Sequence, residues 1–179
     1  MEYKQWTINT ECPFYTDLEP LFLDKGKDES GSKTTHLGHQ FEVTGSKLID
    51  WEKIRSWMLE KIKPMGVEDI ELMKAWCIDY QDGGYQTMHR HSVGGLGGVG
   101  VVISLDDQPE ENKTGRLYTI NNNAYTDYRP HKGRAVIITG GIWHGVYPSK
   151  NPRRTFVVDY KINKIKGITY GIRVRGQGT

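Results

Sequence analysis

Cysteine is nearly absent: the 179 residues carry two, Cys12 and Cys77, in no metal-binding or redox spacing. That excludes a disulfide scaffold and a thiolate-bound cluster, and two unclustered thiols fit a reducing compartment. Long apolar runs are missing too. No stretch approaches the roughly 20 residues a spanning helix needs, so no membrane partner is expected. Met1-Glu-Tyr-Lys-Gln-Trp6 lacks a charged start leading into an apolar run, so no signal peptide is expected and the location is read as cytoplasmic. Net charge is also scarce. Lys and Arg number 24 against 22 Asp and Glu, leaving +2, too small an excess to point by itself to nucleic acid or an anionic membrane. The charge is unevenly spread, since residues 1–31 run acidic while 150–175 hold eight Lys/Arg against one acid, Asp159. Such a tail can bind phosphates, but the plainer reading is a solvated surface.

What is present describes one folded domain over residues 1–179. Hydrophobic residues make up 36% and aromatics 11%, with charges of both signs, which is the composition of a globular chain rather than a disordered one. At this length a core forms without staples. Residues 1–45 read as an irregular N-terminal segment, with Pro13 and Pro20 interrupting short apolar pieces and 26–33 rich in Gly, Ser and charge. His36 and His39 in that segment are read as surface residues. From 48 to 63 the pattern turns helical: Trp51, Ile54, Met58 and Ile62 recur at three- and four-residue steps, with Glu52, Lys53, Arg55 and Glu60 between. Pro64 and Gly66 then stop it. A supporting helix is therefore expected within 46–65.

Beyond Gly66 the chain reads as β. Candidate strands lie at 72–80, 98–105, 116–120, 135–139, 154–162 and 168–174, separated by Gly, Pro, Asn and Asp. Short strands at this spacing behind one helix predict a mostly β fold, a sandwich or jelly roll, with its core over 70–175. The run Gly95-Leu-Gly97-Gly98-Val-Gly100 matches a dinucleotide fingerprint by letter. It leads into a strand rather than a helix, and position 120 is isoleucine where an acid is needed. Close backbone approach at a bend is the better reason for these glycines.

The densest chemistry lies at 80–91, Tyr80-Gln-Asp-Gly-Gly-Tyr85-Gln-Thr-Met-His89-Arg-His91. His89 and His91 are two apart, so on a strand both imidazoles share a face. A third histidine, His144, sits in Gly140-Gly-Ile-Trp-His144-Gly-Val. Three imidazoles suit Fe, Zn, Cu or Ni, with coordination positions left open.

The ordered pieces Tyr-x4-Tyr-x3-His-x-His, Gly115-Arg-Leu, Pro130-His-Lys-Gly133, Trp143-His144-Gly-Val and an arginine ten residues later resemble the Fe(II)/2-oxoglutarate-dependent oxygenases. The resemblance is strongest to the prolyl-4-hydroxylase-like branch and small phage and bacterial relatives, and it covers residues 75–160. It implies a double-stranded β-helix, a cupin-like jelly-roll barrel, with Fe(II), 2-oxoglutarate and O2 as cofactors. His89 and His144 take metal positions. Arg154 takes the position that grips the far carboxylate of 2-oxoglutarate, where a guanidinium can make two parallel hydrogen bonds. Arg154 is preferred to Arg153 by strand alternation, because the face carrying Arg153, Thr155 and Asp159 reads as more polar. Tyr80 stands where relatives often place a tyrosine on the same carboxylate.

His91 departs from the pattern, since the family's second ligand is usually a carboxylate. Either His91 is a ligand in a three-histidine site, or Asp106 or Asp107 serves in its place, or the site has lost its chemistry. The resemblance implies a hydroxylase acting on a peptide side chain or a small molecule, as a monomer or homodimer. The alternative is a cupin-like three-histidine metalloprotein that does not use 2-oxoglutarate.

Overall fold

Nine strands and one α-helix form in the residues that the computed structural model describes, 5–91 and 97–167. In chain order they are β1 (Thr7–Glu11), β2 (Thr35–Glu42), α1 (Trp51–Ile62), β3 (Val67–His89), β4 (Gly98–Ser104), β5 (Leu117–Asn121), β6 (Ala124–Tyr128), β7 (Arg134–Thr139), β8 (Trp143–Val146) and β9 (Arg153–Ile165). All pairings are antiparallel, in the order β1-β7-β4-β9-β3-β8-β5-β6, with β2 added to β3. The sheet curls into a nearly closed barrel, the expected jelly-roll architecture. No helix among the described residues is long and apolar enough to cross a membrane.

The barrel is organised on β3, whose 23 residues take part in two ladders. Its first part runs beside β9, from Val67 opposite Ile165 to Tyr80 opposite Arg153. Its last part runs beside β8, where Gln86 faces Val146 and His89 faces His144. Between the two, Gly83 and Gly84 bend the strand. Gly83 has φ +77°, and a Cβ on Gly84 would come within 2.5 Å of the Leu37 carbonyl oxygen. Only glycine fits such a position. The bend is pinned from outside: Gly83 N–H donates to the Ser149 carbonyl at 2.7 Å, and Ser149 N–H donates to the Gly84 carbonyl at 2.9 Å.

Alternation along the strands divides the apolar residues into two cores. Trp76, Ile78, Val136, Ile138 and Val157 point into the barrel. Cys77, Ile137, Phe156, Val158 and Tyr160 point outward, to the layer covered by α1. That helix starts at the Asp50 cap, whose carboxylate accepts from Lys53 N–H at 3.0 Å, and it buries Ile54, Trp57, Met58 and Ile62. Each fully buried side chain of this size contributes roughly 1.5–3 kcal/mol. The chain leaves through a 3-10 turn, Lys63–Met65, and Gly66 in the left-handed region (φ +85°). Both cysteines are buried and free. Burial pushes the Cys12 thiol up to about 11 and that of Cys77 higher still, so neither is reactive.

Two expectations need correction. Residues 1–45 are not irregular throughout, because β1 pairs with β7 and β2 with β3. Both strands are polar and partly exposed, and β2 holds Leu37 at φ +48° in a register shift, so neither shows clean alternation. The glycine pair at 83–84 does not end a strand at Tyr80; it bends a longer one. The expected strands near 98–105, 116–120, 135–139 and 154–162 form within a few residues of those limits. The segment after Asn121 adds a strand the sequence did not announce, β6, through a hairpin with Asn122 and Asn123 at φ +47° and +65°. The strand expected at 168–174 lies outside the described residues.

Candidate metal centre

The bend in β3 and the short strand β8 bring distant histidines together. His89 is directly opposite His144 in the β3–β8 ladder, and His91 follows just past the end of β3. Ring centroids lie 4.3 Å apart for His89 and His144, 5.0 Å for His91 and His144, and 5.3 Å for His89 and His91. One ligand atom from each lies within 4.8 Å of the other two. Two glycines fix the approach from β7. Gly140 N–H donates to the Gly98 carbonyl at 2.7 Å, and Gly141 N–H donates to the His91 carbonyl at 3.1 Å. Gly141 does so at φ +91°, where a side chain would be strained.

Each ring is oriented through its Nδ1. That atom lies 2.8 Å from the Thr87 carbonyl in His89, 3.0 Å from the Ile142 carbonyl in His144, and 2.7 Å from an Asp159 carboxylate oxygen in His91. Carbonyls and carboxylates only accept, so each Nδ1 carries the proton and each Nε2 is left with a free lone pair. This is how histidine ligands of protein metal sites are commonly held. Burial, with the neighbouring rings, pushes His144 down to about 3. Burial likewise lowers His89 against the opposing Thr87 contact. Burial also pulls His91 down, but the hydrogen bond and charge of Asp159 outweigh it and leave His91 raised. His36 and His39 stand apart, one stacked on Tyr85 at 4.7 Å and the other bonded to the Gly26 carbonyl.

The two arginines at the start of β9 are placed the other way round from the sequence expectation. Arg154 points away from the barrel interior and holds Asp106 with two bonds, 2.7 and 3.0 Å, with Glu19 at 3.6 Å. Asp106 is thereby engaged, which removes it as a substitute for His91. Arg153 points inward and is 1% exposed. It lies opposite Tyr80 in the ladder, with its guanidinium carbon 5.0 Å from the Tyr80 ring. Its Nη1 donates to the Gly115 carbonyl and its Nε to Thr155 Oγ1 at 3.2 Å. Among the described residues no carboxylate lies within salt-bridge distance of it. The alternation argument grouped the residues correctly but gave the wrong group to the interior. Arg153, Thr155, Val157 and Asp159 form the inner face, and its polarity marks the site rather than solvent.

Tyr80 is also 1% exposed, and its Oη has no hydrogen-bond partner. Burial raises this phenol to about 12, so it stays protonated as a donor. A small cavity is lined by His91, His144, Val102, Ile138 and Val157. A second, smaller still, is lined by Arg153, Val102, Tyr128 and Val136. Val102 is a wall of both. A broader, open cleft adjoins His89 and His91, bordered by Lys33, Lys74, Trp76 and Arg90.

Family models and curated proteins give no match to this chain. Solved structures do. A Pseudomonas putida prolyl-4-hydroxylase superposes with a TM-score of 0.66 at 12% identity, over 90% of this chain and 95% of that one. The barrel has the fold of the 2-oxoglutarate/iron oxygenases. The Trichoplax adhaerens prolyl hydroxylase, solved with a hypoxia-inducible-factor peptide, matches with a TM-score of 0.62 at 14% identity, covering 86% and 82%. HygX from Streptomyces hygroscopicus, solved with nickel and 2-oxoglutarate bound, gives 0.69 at 9% identity, covering 88% and 83%. The expected double-stranded β-helix is therefore present. Sequence reasoning placed Arg153 second to Arg154 and missed Asp159 on the inner face. The signal was available in the polar parity of 153, 155 and 159 within an otherwise apolar strand.

Proposed function

We propose that this chain is an Fe(II)- and 2-oxoglutarate-dependent dioxygenase that hydroxylates a peptide side chain or a small molecule. The observation that carries the reading is the Arg153 guanidinium, buried inside the barrel without a carboxylate partner among the described residues. A buried charge is costly unless it is paired, so this one calls for an anion. It shares the inner face with Asp159, which touches His91 at the other end of the cavities. A short dicarboxylate with a metal-chelating end fits that arrangement. Arg153 and the unpartnered Tyr80 hydroxyl would take its far carboxylate. Val102 and Val157 would line its methylenes, and the other end would meet the histidines.

The donor set also fits the ion. His89, His91 and His144 offer three neutral imidazole nitrogens, a set that suits iron and leaves positions open. Fe(II) and 2-oxoglutarate held there would supply the redox chemistry, O2 being reduced as the keto acid goes to succinate and CO2, with one oxygen atom in succinate and the other in the hydroxylated product. The chain's own work is placement and exclusion. Thr87, Ile142 and Asp159 fix the rings, and Arg153 fixes the direction in which the keto acid lies. The apolar wall keeps water from the enclosed end, which strengthens the carboxylate contact. The open cleft beside His89 and His91 admits the substrate from the other side, and its Lys33 and Arg90 give that entrance a positive character.

Three histidines without a carboxylate ligand also match the cupin-like alternative, and Arg153 is what separates the two. Anaerobic titration of the Fe(II)-loaded protein with 2-oxoglutarate is the direct test. A visible charge-transfer band, formed by the chelated keto acid, is expected. Iron bound with no band at saturating 2-oxoglutarate would reject the dioxygenase in favour of the cupin-like reading.

A further inference from the structure

The interior of β9 carries one carboxylate, and its placement is specific. Asp159 and Gly100 are partners in the β4–β9 ladder. A Cβ on Gly100 would overlap the Asp159 carboxylate where it stands, so glycine at 100 leaves room for this side chain beside the ring. The carboxylate is largely buried, with 16% of its side chain exposed, and one oxygen lies 2.7 Å from His91 Nδ1. No Lys or Arg among the described residues makes an ion pair with it. His91 is the residue standing where the resembled family has a carboxylate ligand.

Resting on the metal-centre reading above, we infer that Asp159 is a positioning residue that supplies the missing negative charge through His91. The family's second ligand brings one negative charge into direct contact with iron. Here the histidine takes the coordination position and the charge sits one hydrogen bond further out. Asp159 pulls on the Nδ1 proton, which makes Nε2 a stronger donor, and it fixes the ring with Nε2 as the nitrogen left free for metal. Gly100 belongs to the same device as the clearance that lets the carboxylate stand beside the ring. Two observations support it, the 2.7 Å contact and the way the carboxylate fills the place a Gly100 Cβ would take. A neutral three-histidine site without this charge would leave iron one unit more positive than in its relatives.

The test is metal binding itself, read without turnover. Co(II) affinity is measured by competition with a chromophoric chelator, and the Fe(III)/Fe(II) midpoint potential by spectroelectrochemistry, at one fixed pH. Asp159→Asn keeps the shape and can still accept from Nδ1 but loses the charge. It is expected to weaken Co(II) by about 10–100-fold and to raise the midpoint potential. Gly100→Ala, which displaces the carboxylate without altering it, is expected to act in the same direction. His91→Asp combined with Asp159→Asn returns the charge to the coordination position, and it is expected to bind Co(II) more tightly than Asp159→Asn alone. A circular-dichroism melt of each variant confirms that it is folded. Wild-type protein that binds Co(II), with Asp159→Asn binding within threefold and at an unchanged potential, overturns this inference and leaves the metal centre standing. Wild-type protein that binds no Co(II) overturns both.

Discussion

Replacing Arg153 by methionine should separate co-substrate binding from stability, two properties that usually fall together when a buried residue is changed. The guanidinium is 1% exposed and holds two neutral acceptors, the Gly115 carbonyl and Thr155 Oγ1. Burial pushes its pKa down from the usual value, against the favourable influence of Tyr80 and Asp106. Without a bound anion, the native state carries the desolvation of an uncompensated charge. Removing it relieves that cost but leaves Gly115 and Thr155 without their donor, at about 1–3 kcal/mol for such groups. The two effects oppose, so stability should change by less than about 2 kcal/mol. The 2-oxoglutarate complex has no such compensation. Charge-assisted bonds contribute about 1.5–3 kcal/mol each, and loss of two is worth at least about 3 kcal/mol, or more than 100-fold in affinity. Arg154→Gln is the matched control. It breaks a half-exposed pair with Asp106 and should lower stability by about 1 kcal/mol, discounted for solvent, with less than threefold change in 2-oxoglutarate affinity. Anaerobic calorimetric titration of the Fe(II) protein and chemical denaturation measure the two quantities. Affinity within threefold of wild type for Arg153→Met, or equal losses for both variants, would refute the reasoning.

Other consequences can be checked with simpler assays. The metal-free protein should lose stability in acid through His144. Its folded pKa is about 3 against an ordinary 6.5, so the unfolded chain takes the proton first as pH falls. The contribution is intact above 6.5 and declines toward pH 3 by about 1.4 kcal/mol per unit. His91 shifts in the opposite sense, so the effect is read as the difference between wild type and His144→Asn in denaturation at several pH values, and parallel curves would contradict it. Asp50→Ala removes the cap of α1 and should cost about 1 kcal/mol in urea denaturation without changing Co(II) affinity. Gly84→Ala should cost more than about 2 kcal/mol, because its Cβ would meet backbone oxygens of Leu37 and Gln81 at 2.5 and 2.9 Å. A near-wild-type melting temperature for Gly84→Ala would mean the bend in β3 is softer than its contacts indicate.

Much of the site was visible before any coordinates. The His-x-His pair has strand spacing, and His144 stands among glycines that leave room for it. In the described part of the glycine-rich run the chain approaches closely, with Gly100 beside Asp159 and Gly98 beside Gly140, while Gly95 lies outside the described residues. What could not be read locally was which face of a strand is inside. The residues from 153 to 160 alternate cleanly, and the rule that polar residues face water chose the wrong side. The proposed function would reverse that rule, since a barrel holding a charged co-substrate needs a polar lumen, and here Arg153 and Asp159 lie inside while the outer face is covered by α1. The strands β1 and β2 escaped notice for a different reason. Their pairing with β7 and β3 is long-range, and nothing within five or eight polar residues records it.

The position of β9 has a consequence for how the chain is made. It lies between β4 and β3 in the sheet, yet it is the last of the described strands to be synthesised. Until it emerges from the ribosome, β4, rich in Val and Ile, and the first part of β3 each present an unpaired edge, the kind of edge that recruits other chains. The histidines are already translated by then, but their supporting carboxylate and the buried arginine are not. The barrel therefore closes, and its candidate metal centre is completed, in one late step, so nascent chains stalled before residue 153 should need protection from aggregation that the finished chain does not.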